Sequence, residues 1–274
     1  MELIRFCKMQ GCGNDFIIID NRQKILDGDQ IRDWVSKVCR RKVSVGADGL
    51  ILIEPSTRAH FRWRFFNADG SEAEMCGNAG RCAARFAFIN GIAPASLTFE
   101  TKAGIIAAEV AGRRVKLQMT KPFGLELDIE ILLDGEKHLL DFINTGVPHA
   151  VKFVSSAAAI PVQDLGRKIR FHPRFQPAGT NVNFVQPLDE HQLQVRTYER
   201  GVEEETLACG TGAIASALIA AYRGLVTPPV AVKTSGGEIL NIYFPKEGQD
   251  FKEVFLEGDT ALVYEGLLGE EAYQ

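Results

Sequence analysis

The chain has 274 residues, 46% of them hydrophobic and 24% charged, with a formal net charge of −4. That length buries a large core in one or two domains, and the balance is that of an ordinary globular protein. The basic footprint of a nucleic-acid binder is missing, and the most apolar stretch, Ala213 to Tyr222, falls far short of the roughly 18 residues of a membrane-spanning helix.

In chain order the sequence predicts an α+β pattern with strands dominant. Phe16 to Asp20 is a short apolar strand. Gln30 to Arg41 has Ile31, Trp34, Val35, Val38 and Cys39 at helical spacing behind Asp29, a suitable cap. The basic run Arg40-Arg41-Lys42 reads as a solvated helix end that complements the dipole. Strands from Leu50 to Glu54 and Phe61 to Phe66 follow. A helix from Asn78 to Asn90 comes next, with Cys82, Phe86 and Ile89 along one face and Gly91 as its stop. Short strands run from Ser96 to Glu100, Ile105 to Val110 and Val115 to Met119. Then the order begins again. Strands at Ile129 to Leu133, His138 to Asn144, Ala150 to Val154, Asn181 to Gln186 and Gln192 to Tyr198 lead to a helix from Ala213 to Arg223, stopped by Gly224. Strands at Val230 to Thr234, Ile239 to Phe244, Glu253 to Glu257 and Ala261 to Leu267 close the chain. Each half runs strands, cysteine turn, helix, strands, a pseudo-repeat with Pro122-Phe123-Gly124 as the best boundary.

The six cysteines are Cys7, Cys12, Cys39, Cys76, Cys82 and Cys209. They show neither a disulfide-framework spacing nor a Cys-x-x-Cys. Glu2, Arg5 and Lys8 interrupt any apolar run near Met1, so no export signal is expected and the cysteines read as reduced thiols of a cytoplasmic protein. The five histidines are scattered with no ligand-spaced pair, and no metal is expected. Cys7, Cys39 and Cys82 occupy apolar periodic positions and read as small core residues. Cys12 lies between two glycines without a partner motif.

Cys76 and Cys209 stand apart. Each follows an acidic, turn-rich approach, precedes glycine and small residues, and opens a helical run. Unpaired N–H groups and the helix dipole at such a position stabilise a thiolate. One such site per half suggests two sulfur acid/bases in one active site. A thiolate that removes a proton from a stereogenic carbon, and a thiol that returns one to the opposite face, invert the centre. The same helix ends suit a carboxylate, whose charge they balance as the α-carbon loses its proton.

With these residues in view, the chain resembles the diaminopimelate epimerases, amino-acid epimerases that use no pyridoxal cofactor. The resemblance rests on Lys8-Met9-Gln10-Gly11-Cys12-Gly13-Asn14-Asp15-Phe16, on Phe66-Asn67-Ala68-Asp69-Gly70-Ser71 with Met75-Cys76-Gly77-Asn78, and on Gly146-Val147-Pro148-His149. Asn181-Val182-Asn183-Phe184 and Tyr198-Glu199-Arg200-Gly201 with Glu205-Thr206-Leu207-Ala208-Cys209-Gly210-Thr211-Gly212 complete it. It implies two pseudo-symmetric α/β domains, each a mostly antiparallel sheet or partial barrel around a central helix, with the active site in the interdomain cleft. The halves would be 1–119, completed by 262–274, and 120–261. It implies Cys76 and Cys209 as the acid/base pair, with Glu199 and His149 tuning them. Gly77, Asn78, Gly210 and Thr211 would donate to the α-carboxylate, and Asn14, Asn67, Asn181, Glu199 and Arg200 would contact substrate. A guanidinium at Arg200 suits the distal carboxylate of diaminopimelate. The implied reaction takes LL-2,6-diaminopimelate to the meso form, for lysine and peptidoglycan precursors. It needs no cofactor, nucleic acid or membrane, and leaves a homodimer open.

Three departures from the family pattern stand out. Ala79-Gly80 swaps the usual small pair, with little effect expected. Gly49 and Val147 replace a glutamine and an asparagine of some members, and Glu203-Glu204 lengthens the turn before Cys209. Two rival readings are a proline or hydroxyproline racemase of the same superfamily and a thiol redox switch. The first usually carries histidine where this chain has Asn78 and leaves Arg200 without a carboxylate to bind. The second accounts for the cysteines but not for the asparagines or Glu199-Arg200.

Overall fold

The computed structural model describes residues 3–28, 30–245, 251 and 253–274. The chain divides into two compact units, Met1–Gln118 with Gly258–Gln274, and Met119–Glu257. In chain order the first unit contains β1 (Ile4–Gly11), β2 (Asn14–Asp20), α1 (Ile31–Val38), β3 (Gly49–Glu54), β4 (Phe61–Asn67), β5 (Glu72–Ala73), α2 (Gly77–Ile89), β6 (Ser96–Thr101), β7 (Gly104–Ala111) and β8 (Arg114–Gln118). The second contains β9 (Phe123–Leu133), β10 (Glu136–Asn144), β11 (Pro148–Phe153), α3 (Val162–Arg170), β12 (Asn181–Asp189), β13 (Gln192–Glu199), β14 (Glu204–Thr206), α4 (Gly210–Tyr222), β15 (Val230–Lys233) and β16 (Ile239–Tyr243). β17 (Phe255–Asp259) follows, and β18 (Ala261–Leu268) belongs to the first unit.

Within the first unit the strands lie in the order β18–β1–β2–β3–β4–β6–β7–β8, with β5 beside β4. Two neighbouring pairs are parallel, β2 with β3 and β4 with β6; the rest are antiparallel. Within the second unit the order is β9–β10–β11–β12–β13–β15–β16–β17, with β14 beside β13. Its parallel pairs are β11 with β12 and β13 with β15. The two rows repeat one sequence of directions. A parallel pair needs a crossover connection, usually helical, and each α-helix supplies one. α1 and α3 join the first parallel pair of their units; α2 and α4 join the second. The pseudo-repeat is therefore one topology built twice.

The central strands of each row are covered on both faces, which explains their unbroken apolar runs. Phe16 to Ile19 on β2 and Leu50 to Ile53 on β3 are buried at every position, as strands with helices on both sides must be. Ile17, Ile19, Leu50 and Leu52 pack with Ile31, Val35 and Val38 of α1. On the other side α2 touches β1 and β2 near one end of the row and β7 and β8 at the other, so the sheet curls around it. α2 can be so enclosed because Ala79, Gly80, Ala83, Ala84 and Ala87 are small. α4 is the same in its unit, buried from Gly212 to Ala220.

Several expectations shift. β1 is unexpected because Lys8 interrupts its apolar pattern, yet Lys8 is buried against Asp15 at 2.8 Å. α3 is unexpected because it begins after Pro161 and carries Gly166, a poor helix residue. Packing overrides propensity there: a Cβ on Gly166 would stand 2.5 Å from Cβ of Tyr198. α1 ends at Val38 rather than Arg41, and Asp29, its expected cap, lies outside the described residues. α2 and α4 begin at the residue after each cysteine. Ile89 is exposed at the end of α2 rather than part of a buried face.

Candidate active site

Both motif cysteines are N-cap residues with extended backbone. Cys76 precedes α2 with φ −147° and ψ 122°, and Cys209 precedes α4 with φ −122° and ψ 108°. Their carbonyls accept the first helical bonds, from Gly80 at 2.8 Å and Ala213 at 2.9 Å. The N–H groups of Gly77, Asn78, Gly210 and Thr211 fall among the opening donors that an α-helix leaves without an internal partner. Neither helix has an acidic residue in its first turn, so the positive dipole end is not offset there. Each end suits an anion and a thiolate.

Asn14 and Asn78 gather at Cys76. The Cys76 Sγ lies 3.8 Å from Asn14 Oδ1, and Asn78 Nδ2 lies 3.4 Å from the same oxygen. Asn14 Nδ2 donates to Asp48 at 2.6 Å. Asp48 also takes Arg41 at 2.8 Å, and Arg41 pairs with Asp15 at 2.5 Å. Burial alone would raise Asp15, but hydrogen bonds and charge from Arg41 and Lys8 hold it down at about 2. Arg81 is fully buried one turn along α2 and donates to Asn78 Oδ1 at 2.9 Å and to Cys12 Sγ at 3.1 Å. Asn67 ends β4 and hydrogen-bonds within its own turn, to the Ser71 hydroxyl at 3.0 Å, rather than with Cys76.

In the second unit Cys209 Sγ lies 3.5 Å from the Thr211 hydroxyl, and the Thr145 hydroxyl donates to the Thr211 carbonyl at 3.0 Å. His149 on β11 and Asn181 on β12 are register partners. Asn181 accepts the Arg200 N–H at 2.8 Å and donates to the Pro148 carbonyl at 3.1 Å. His149 is fully buried, and burial, with the charge of Arg200, lowers its pKa to about 3. Its Nε2 has no hydrogen-bond partner among the described residues. Glu199 ends β13, and burial raises its carboxyl. The Arg200 guanidinium donates to the Ala178 carbonyl at 2.8 Å, and no described carboxylate forms a salt bridge with it.

Asp48 and Arg81 are missing from the sequence reading, and Asn183 enters it only within the segment Asn181-Val182-Asn183-Phe184, with no role assigned. Asp48 and Asn183 act through partners distant in sequence, with only the Asn-x-Asn spacing around Asn181 as a hint of the latter; Arg81 reaches Asn78 three residues back on its own helix and Cys12 far along the chain. The lengthened turn is anchored by Glu203 itself, in a left-handed conformation (φ 62°). Its carboxylate takes Gly201 N–H at 3.0 Å and Arg170 at 3.1 Å. Gly49 leaves no room for a glutamine, since a Cβ would meet the Phe66 carbonyl at 2.6 Å. Gly80 lies close against Leu117, 2.9 Å from a built Cβ. Among the described residues no group of three or more His, Cys, Asp or Glu could hold a metal. No helix of the described chain is long and apolar enough to cross a membrane.

Comparison with known proteins decides the family. The sequence model of diaminopimelate epimerase matches residues 6–123 and 142–263. The chain belongs to the diaminopimelate epimerase family. A protein of that name from Aquifex aeolicus is 51% identical over 282 residues, covering 99% of this chain and 100% of the relative. Another, from Hydrogenobaculum, is 47% identical over 278 residues, covering 97% and 99%. Among solved structures, a Bacillus anthracis phenazine biosynthesis protein of the PhzF family superposes with a TM-score of 0.76 at 16% identity, covering 98% of this chain and 100% of its own. A hydroxyproline epimerase from Agrobacterium vitis gives 0.71 at 17%, covering 100% and 93%. At such identities the likeness is one of fold.

Proposed function

We propose that this protein converts LL-2,6-diaminopimelate to its meso form with two thiols as acid and base. The observation that carries the proposal is the placing of Cys76 and Cys209 at equivalent helix starts of one topology built twice. One thiolate takes the α-proton, and the electron pair spreads into the α-carboxylate bound by helix-end N–H groups. The other thiol gives a proton to the opposite face, so thiol and thiolate exchange roles and the centre inverts. Proton removal and return are complete with these two groups, and no cofactor enters the proposal. Arg200 receives the distal carboxylate, Asn14, Asn67 and Asn181 contact the substrate, and Glu199 and His149 tune the pair.

The supporting relatives are named diaminopimelate epimerase over nearly the whole chain. Working thiols suit the reducing cytoplasm, where we place the reaction. Exposed Leu262, Val263, Tyr264 and Leu267 on β18 support a homodimer, testable by light scattering. The deciding experiment is incubation of LL-diaminopimelate with the protein in deuterium oxide. Meso product carrying deuterium at the inverted carbon is expected; absence of both exchange and inversion overturns the proposal. A switch disulfide would give no exchange at all, and a proline racemase would exchange proline but not diaminopimelate.

A further inference from the structure

Asp48 precedes β3 and Asn14 opens β2, and the two meet at the Cys76 half-site. One Asp48 oxygen accepts from Asn14 Nδ2 at 2.6 Å, and the other accepts from Arg41 at 2.8 Å. A carboxylate paired with arginine only accepts hydrogen bonds. Asn14 therefore has one orientation, nitrogen to Asp48 and oxygen toward Cys76 Sγ, 3.8 Å away. Asn78 is turned the complementary way, because Arg81, which only donates, holds its oxygen at 2.9 Å. Its nitrogen then reaches the same Asn14 oxygen at 3.4 Å. An amide oxygen facing sulfur accepts an S–H and offers nothing to a thiolate, so it favours the protonated form.

We propose that Asp48 is a positioning residue: by holding the Asn14 oxygen toward Cys76 it keeps that sulfur protonated in the empty site, so Cys76 rests as the acid of the pair. Among the described residues, charged and titratable groups reach this corner from four segments. They are Arg81 and Cys82 on α2, Lys8 on β1 with Cys12 in the following turn, Asp15 on β2, and Arg41 with Asp48 before β3. Lys8, Asp15, Arg41 and Asp48 are joined in one chain of ion pairs. The helix end pulls Cys76 toward thiolate, and the Asn14 oxygen opposes it. The inference rests on Cys76 being an acid/base.

The test follows the pH dependence of iodoacetamide alkylation at Cys76, located by peptide mass, in the full chain carrying Cys209→Ala. In Asp48→Asn, the charged Arg41 keeps the oxygen of the new amide, and its nitrogen takes the place beside Asn14, giving up the Asp15 N–H that this position accepts at 3.2 Å. Asn14 must then rotate and show nitrogen to the sulfur. The alkylation midpoint is expected to fall by on the order of one pH unit, a hydrogen-bond effect on the thiolate. Removing the Asp48 charge would also lower the midpoint, so the same change is made with Asn14→Ala present. There the shift is expected to shrink to less than half. A shift that persists undiminished, or no shift in either background, overturns the proposal. Should Asp48→Asn lose its cooperative thermal melt, Asn14→Ala alone decides: a lower midpoint supports the proposal, and an unchanged or higher one overturns it. No substrate enters the assay, so its failure leaves the epimerase reading standing, whereas failure of the deuterium experiment removes the acid role and leaves only the measured protonation of Cys76.

Discussion

Asn183 Nδ2 lies 3.0 Å from Nδ1 of His149, and this contact sets where the histidine keeps its proton. The Ala150 carbonyl, which only accepts, lies 3.2 Å from the same nitrogen, and the Thr197 hydroxyl lies 2.9 Å from the Asn183 oxygen. The Asn183 nitrogen is thereby fixed as the donor to Nδ1. His149 is then the neutral tautomer with its hydrogen on Nε2, the atom that has no partner among the described residues. Its pKa is about 3 in the fold and 6.5 for the ordinary side chain. The unfolded chain binds the extra proton between those values. The histidine's contribution to stability is therefore full above 6.5 and is lost as pH falls toward 3.

Asn183→Asp reverses that contact. A carboxylate would accept from Nδ1, and the adjacent negative charge should raise His149 by about 1–3 units. Imidazole nitrogen NMR is expected to show no titration of His149 in the wild type between about pH 8 and 5, and in the variant a midpoint raised to between about 4 and 6. A wild-type His149 that titrates near its ordinary value would show the tautomer assignment to be wrong.

Cys76→Ala and Cys209→Ala should each leave a folded chain with only one face of the acid/base apparatus. Losses of at least about 10²–10⁴-fold, typical of general acid–base groups, are expected, approaching complete loss because inversion needs both faces. Each serine replacement should also fail, since its alkoxide is out of reach near neutral pH. Turnover near the wild-type rate by either alanine variant, followed by chiral chromatography of the product, would exclude the two-base assignment.

The helix-start placing of both cysteines is legible in sequence because glycine, small residues and the acidic approach are neighbours along the chain. So are the strands β2 and β3, whose apolar runs follow from double-sided burial. The rest fails for identifiable reasons. β1 hides behind Lys8, a charge made tolerable inside by Asp15. α3 hides behind Gly166, present because Tyr198 leaves no space for a side chain. Asp48 and Asn183 orient neighbours that are far away in sequence, and Arg81 orients Asn78 from one turn along its own helix, where nothing in the local pattern marks the arginine as buried.

Asp15 makes an acid-sensitive contact. It sits at about 2 in the fold against an ordinary 3.8. Above about pH 5 both states are charged and its full contribution is present. As pH falls through 3.8 the unfolded chain takes the proton first, and the advantage is lost as pH falls through the folded value. Urea melts of wild type and Asp15→Asn should therefore differ at about pH 5 and converge toward about pH 2. A constant gap across that range would mean Asp15 stabilises by something other than its charge.

Gly212 in the first turn of α4 has no space for a side chain, because a Cβ would stand 2.3 Å from Asn183 Oδ1. Gly212→Ala must push Asn183 away from both Thr197 and His149. Overpacking of this kind costs about 1–3 kcal/mol, measurable as a lowered urea midpoint. The same variant should disturb the His149 imidazole signals. Unchanged stability together with unchanged His149 resonances would show that Asn183 is not held there.

Arg200 is the group that should separate diaminopimelate from smaller amino acids. Its backbone N–H is held by Asn181 at 2.8 Å and its guanidinium by the Ala178 carbonyl at 2.8 Å. Since no described carboxylate pairs with the guanidinium, its charge is available to an anionic ligand. Arg200→Ala should lose about 1.5–3 kcal/mol of binding, the worth of a hydrogen bond to a charged group. The loss should fall mainly on KM, because the distal carboxylate keeps its charge through the reaction and binds ground and transition states alike. Arg200→Lys keeps a charge without the planar fork and should recover part of it. The charge of Arg200 also helps hold His149 down, so its removal should let that histidine rise, a change the imidazole NMR would register. Wild-type KM in Arg200→Ala would place the distal carboxylate on another group and detach Arg200 from substrate choice.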